Sequence, residues 1–275
     1  MLHFLYHTII GRMILKILCK PCISETAGRF LDMRASRVLI NPFIRKNHID
    51  LSQYETGFSC FNDCFCRKIK PGLREFPQDA FAFASPCDGL LSVYRINDRT
   101  VLPVKQSRYS IDDLLEDVKL ADAFTDGFCL VFRLCVEHYH RYSYFDSGVK
   151  GGNIHIPGVL HTVRPVALSQ VPVFVRNSRE YTILQTDHFG TVVQMEVGAL
   201  LVGRICNHHG AYRFRRGEEK GCFQYGGSTI IVLLQKDALQ LSSPVSEIVG
   251  TGNELPVQMG DVLGFAETHS RNGSH

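Results

Sequence analysis

Gly226-Gly227-Ser228-Thr229 stands where the chain turns into an unbroken aliphatic run, Ile230-Ile-Val-Leu-Leu234. Paired glycines open backbone conformations closed to other residues, and a serine hydroxyl directly after such a bend can reach the preceding carbonyl. The same residues also suit a plain hairpin turn, and the spacing alone does not separate the two. A second polar point is Asp88 in Ser85-Pro-Cys-Asp-Gly89, where Pro and Gly fix a turn able to project a carboxylate toward a site. His138, His140 and His161 bring side chains whose protonation changes near neutrality. Arg141, Arg164, Asn177 and Arg179 interrupt apolar surroundings. An Arg fork fits a phosphodiester or a carboxylate, and equally an internal salt bridge. The glycines of Val197-Gly-Ala-Leu-Leu-Val-Gly203 precede no helix signal, so they read as close strand packing rather than a phosphate loop.

Seven segments, in order between residues 61 and 234, resemble the phosphatidylserine decarboxylase family. They are Phe61-Asn-Asp-Cys-Phe-Cys-Arg-Lys68, Ser85-Pro-Cys-Asp-Gly89, Tyr139-His-Arg141, His161-Thr-Val-Arg-Pro165, Asn177-Ser-Arg179, Val197–Ile205 and Lys220–Leu234. The resemblance implies a proenzyme that cuts itself between Gly227 and Ser228. The serine oxygen attacks the Gly227 carbonyl to give an ester, β-elimination leaves dehydroalanine, and loss of ammonia gives an N-terminal pyruvoyl group on a small chain, 228–275, that stays with 1–227. That pyruvoyl group, made from Ser228, would be the cofactor, with no metal. It would take the serine amine of phosphatidylserine as a Schiff base and act as the electron sink while carbon dioxide leaves and phosphatidylethanolamine forms.

In the same resemblance Asp88 is the acid of an Asp-His-Ser relay, His140 the proton donor of decarboxylation, and Thr229 a donor beside the scissile bond. Many relatives carry the relay base three residues after that histidine, where this chain has Ser143. His140, His161 and His138, in that order, are then the substitutes, and slow self-cleavage is expected. Arg141, Arg164 and Arg179 are the headgroup-binding candidates. The implied partners are phosphatidylserine, an anionic membrane surface on the cytoplasmic side of the cell membrane, bound peripherally, and the chain's own cleaved fragment, with a homodimer admitted. Two other readings stay open: a decarboxylase of another serine-headgroup lipid or soluble serine derivative, and a lipid-binding relative with processing disabled.

Positioning such a site calls for a mainly β frame. Short apolar runs broken by Gly, Pro, Asn and Asp predict strands over 89–96, 127–136, 190–198, 200–205 and 228–235, and a Ser cap predicts a helix over 110–120. Met1 to Ile23 is apolar with Arg12, Lys16 and Lys20 scattered through it; Gly11 and Pro21 interrupt it, so it suits a membrane surface rather than a span. The expected class is α+β, mainly β: a β-sandwich or barrel-like catalytic core related to lipoyl-carrier domains over 76–275, with an N-terminal helical membrane-associating region over 1–75. At 275 residues, 45% hydrophobic and 21% charged, the chain has the composition of a folded globular protein. A net charge of +3 without a basic stripe argues against nucleic acid. Ten cysteines without a secretory leader read as free thiols of a reducing compartment. Cys60, Cys64 and Cys66 lack the second ligand pair of a structural zinc site.

Overall fold

A computed structural model describes residues 2–97, 102–104, 107–163, 165–168, 171–200, 204–225 and 228–267. The main sheet is built from β1 Gly89–Arg95, β2 Phe128–Leu134, β3 Gly148–Lys150, β4 Ile154–Ile156, β5 Arg179–Thr186, β6 Thr191–Val197, β7 Tyr212–Phe214, β8 Ser228–Leu234 and β9 Leu255–Val257. The spatial order is β7-β3-β5-β6-β8-β2-β1-β9, with β4 also on β5, and every pairing is antiparallel. The class is therefore α+β and mostly sheet. Among the described residues the sheet is open rather than closed into the barrel-like form expected: the order has two ends, the three-residue strands β7 and β9. One small sheet joins Arg141–Ser143, Glu219–Phe223 and Ile205–Asn207; another joins Ala82–Ala84, Val262–Ala266 and Leu239–Leu241.

Strand β8 sits between β6 and β2, and all seven of its residues are buried. A strand covered on both faces needs no polar alternation, which is why Ile230–Leu234 is an unbroken apolar run. The strands expected at 89, 127, 190 and 228 form within one or two residues of their expected bounds. The stretch 200–205 departs: only Ile205 enters a strand, and 201–203 lie outside the described residues. The helix expected over 110–120 keeps its Ser110 cap but splits into Ile111–Leu115 and Val118–Asp122, because Glu116 takes a left-handed conformation at φ 52.

The N-terminal part holds α1 Leu2–His7, α2 Ile9–Leu18 and α3 Pro21–Leu31. Thr8 caps α2 by accepting the Gly11 N–H. Leu5, Tyr6, Leu15 and Cys19 enter the same core as the sheet. The opposite face of α2 leaves Ile9, Ile10, Met13, Ile14 and Ile17 in the open, Ile9 at 72% exposure. Among the described residues no helix is long and apolar enough to cross a membrane.

Candidate active site

Register brings the chemistry-bearing residues to one end of the sheet. Ser228, the first residue of β8, lies opposite Leu134, the last residue of β2. Thr229 lies opposite Arg133 on one side and Val197, the last residue of β6, on the other. Strand β1 pairs with the far edge of β2 from Leu90↔Arg133, so Asp88 enters β1 at this same end. The chain leaving Leu134 runs at once into Cys135–His140 and carries both loop histidines there. Gly226 and Gly227 lie outside the described residues, as does Arg164.

Ser228 and Thr229 are fully buried, and neither hydroxyl has a hydrogen-bond partner among the described residues. Buried hydroxyls are ordinarily satisfied, so two adjacent orphans at a strand head mark a place built for something other than stability. A third orphan is Nε2 of His140, also fully buried. The His140 Nδ1 donates to the His138 carbonyl at 3.0 Å, which fixes the tautomer and leaves Nε2 with a free lone pair. The ring packs on Phe65 at 4.2 Å. Burial, and then the nearby Arg67 cation, hold His140 well below the usual histidine range. Arg67, itself buried, donates to the carbonyls of Glu137 at 2.7 Å and His138 at 2.9 Å and lies over the Tyr54 ring. It thus fastens the histidine loop and adds to the burial that lowers the His140 pKa. Nothing but its place in the segment 61–68 signalled it in the sequence.

His138 is arranged the other way round: its Nδ1 accepts from the Cys135 N–H at 3.0 Å, so its lone pair is engaged. Burial lowers its pKa while the Glu137 and Asp88 carboxylates oppose the shift. His161 faces the N-terminal helices, its Nδ1 3.2 Å from the Tyr6 hydroxyl and 3.5 Å from the Cys19 sulfur, and burial lowers its pKa too. Its backbone is held by Asn177, whose side chain also donates to the Gly198 carbonyl just past β6.

Asp88 is buried in the expected turn, braced by the Ser85 hydroxyl on the Cys87 carbonyl. Its carboxylate partner is not a histidine. Arg74 grips it with two donors at 2.9 Å each, and the Met259 N–H adds a third at 2.8 Å. Ser143 donates its N–H to the Pro86 carbonyl at 2.9 Å, which places it beside the Asp88 turn. Two of the three headgroup-candidate arginines have their guanidinium groups engaged within the protein. Arg179 directs its guanidinium at four backbone carbonyls and Glu116. Arg141 bonds the Cys66 carbonyl at 2.7 Å and Glu219 at 2.6 Å. Their donors serve the fold, which a sequence cannot reveal when all but two of the partners lie 63 to 78 positions away.

A buried ionic cluster was also not expected. Lys220 Nζ meets Glu196 at 2.8 Å with both side chains fully buried, and Asn207 ties Lys220, Glu196 and Glu180 together. It joins the main sheet to the small sheet whose strand Glu219–Phe223 leads toward Ser228.

A family model described as phosphatidylserine decarboxylase matches residues 61–265. The chain is 41% identical over 265 residues to phosphatidylserine decarboxylase proenzyme 2 of Clostridium acetobutylicum, covering 96% of this chain and 91% of that one. It is 39% identical over 271 residues to the phosphatidylserine decarboxylase proenzyme of Ruminiclostridium cellulolyticum, covering 96% and 90%. With the corresponding proenzyme of Clostridium botulinum, strain Langeland, identity is 37% over 270 residues, covering 96% and 92%.

Proposed function

The chain belongs to the phosphatidylserine decarboxylase family, and from that premise we propose that it is a self-processing proenzyme that converts phosphatidylserine to phosphatidylethanolamine and carbon dioxide in phospholipid biosynthesis. The observation that carries the reading is the buried, unpartnered Ser228 hydroxyl at the head of β8, with an unpartnered Thr229 hydroxyl next to it and a free His140 nitrogen on the adjoining loop.

In self-cleavage the Ser228 oxygen attacks the carbonyl of residue 227 as its proton passes to a base. His140 is the base these contacts support: neutral, with a fixed tautomer and an unengaged Nε2. The His138 carbonyl orients it as a carboxylate does in a serine–histidine–aspartate relay. Asp88 acts at one remove, pinned by Arg74 and favouring the charged form of His138. Thr229 offers its hydroxyl to the oxyanion. Ser228 is the residue that would become a pyruvoyl group, its own oxygen leaving with the carboxylate of residue 227, and the buried, unpartnered Thr229 hydroxyl fits beside it; the group would supply an electron sink for decarboxylation. His140 Nε2 would take a proton from the substrate amine and return it to the carbon that loses carbon dioxide, and the dry walls of β8, Phe65 and Leu134 keep water from competing.

The outward apolar face of α2, flanked by Arg12, Lys16 and Lys20, supports peripheral attachment to anionic lipid on the cytoplasmic side. Electrophoresis and mass spectrometry of the purified protein test the whole reading. Two chains are expected, the smaller spanning 228–275 with an N-terminal pyruvoyl mass, and Ser228→Ala should remain a single chain. Active wild-type protein recovered as one intact chain would overturn it.

A further inference from the structure

A groove runs between α3 and the Ser228 end of the sheet. One part, about 420 Å³, is walled by Glu25 on α3 and floored by Gly198 and Arg204; the next part, about 290 Å³, shares Glu25 and Arg204 and adds Arg29 and Gln224. The groove reaches the site along two chain segments. Gly198 directly follows Val197, the cross-strand partner of Thr229. Gln224, four residues before Ser228, donates its N–H to the Arg204 carbonyl at 3.1 Å.

The charges here differ from those elsewhere around the site. The guanidinia of Arg67, Arg74, Arg133, Arg141 and Arg179 are all engaged by the protein. Arg29 and Arg204 are exposed, and neither side chain has a hydrogen-bond or ion-pair partner among the described residues. Glu25 and Arg29 stand one helical turn apart on the same face of α3. Glu180, which also lines the groove, is tied to Asn207 at 2.7 Å.

We infer that Arg29 and Arg204 bind the phosphodiester of the substrate lipid and so set its orientation at Ser228, an inference that rests on the function proposed above. Chemistry favours the phosphodiester over the carboxylate as their ligand. Gripping the carboxylate would stabilise a group the reaction must expel, whereas the phosphodiester is unchanged from substrate to product and can be held throughout. The exposed apolar residues of α2, and Phe30 beside Arg29 on α3, lie on the same run of N-terminal helices as the groove wall.

The test uses the full chain after processing, with short-chain phosphatidylserine below its micellar limit as substrate, and Arg204→Gln, Arg29→Gln and the double variant. Cleavage into two chains should match wild type. KM should rise about tenfold in each single variant and further in the double, with kcat retained, the pattern of lost uniform binding. Arg204→Lys should recover most of the loss. Glycerophosphoethanolamine, a phosphodiester without the carboxylate, should inhibit wild type and not the double variant; inhibition of both alike, or by inorganic phosphate alone, places the anion elsewhere and overturns the inference. So does an unchanged KM in the double variant, or a rise seen only on anionic vesicles, which would make the arginines membrane contacts. An uncleaved, inactive wild type would instead strike the proposed function, and the two failures are thereby distinguishable.

Discussion

Arg67→Met separates the base assigned to self-cleavage from a merely structural loop. The substitution removes two short charge-assisted hydrogen bonds, to the carbonyls of Glu137 and His138. At about 1.5–3 kcal/mol each their gross loss is about 3–6 kcal/mol. Two features offset it: the His138 carbonyl keeps the His140 Nδ1 donor, and the wild-type Arg67 Nε is already buried without a partner. A net destabilisation of about 2–4 kcal/mol is expected, read from urea unfolding of an uncleavable Ser228→Ala background. The functional readout is independent. Arg67 is one of the causes holding His140 below its ordinary range, so its removal moves the His140 pKa up. A base works only when unprotonated; the acid limb of the cleavage rate therefore lies below pH 6.5 in wild type and shifts to higher pH in Arg67→Met. Cell-free synthesis followed by a chase across pH 5 to 9, scored by gel, measures both limbs. Acid limbs that coincide while stability falls would refute His140 as the base and leave Arg67 a structural residue.

Three further outcomes follow from the same contacts. Folded-state pKa values of His138, His140 and His161 are depressed, so these groups leave stability undiminished above pH 6.5 and withdraw it as the pH falls below, by up to about 1.4 kcal/mol per pH unit for each; thermal unfolding from pH 8 to 5 checks it. Lys220→Met strands Glu196 without its buried partner and should destabilise by about 3–5 kcal/mol in urea, with Lys220→Met/Glu196→Leu recovering much of the loss. Ser143→His places an imidazole beside the Asp88 turn and should speed self-cleavage about tenfold; an unchanged cleavage half-life would show that the missing histidine does not limit the wild type.

The parts of this molecule legible in the sequence are those encoded by neighbours along the chain. The aliphatic run after Ser228 reads as a buried strand because its burial on both faces leaves no polar residue to interrupt it. The Asp88 turn is written in Pro86 and Gly89, and the Ser110 cap in one hydroxyl. What the residues did not disclose depends on contacts across the fold. Strand β5, Arg-Glu-Tyr-Thr-Ile-Leu-Gln-Thr, mixes charge into its run because Glu180 and Arg179 are used inside the protein. The break at Glu116 needs a left-handed residue where no glycine advertises one. Arg141 and Arg179 carry the right chemistry for a ligand and direct it inward, whereas Arg29 and Arg204, with the same side chain, are left unpartnered.

The same distinction explains why the histidines could be ranked but not assigned from sequence. All three are buried to a similar end, a lowered pKa, yet their nitrogens are committed differently. His138 gives its lone pair to a backbone N–H, His161 turns its Nδ1 to Tyr6 and Cys19 beneath the helices, and His140 uses Nδ1 as a donor and keeps Nε2 free. Since a general base needs an unengaged lone pair more than it needs a particular pKa, hydrogen-bond direction sets His138 apart, and the proposal of His140 over His161 rests on its loop, which begins one residue past the partner of Ser228.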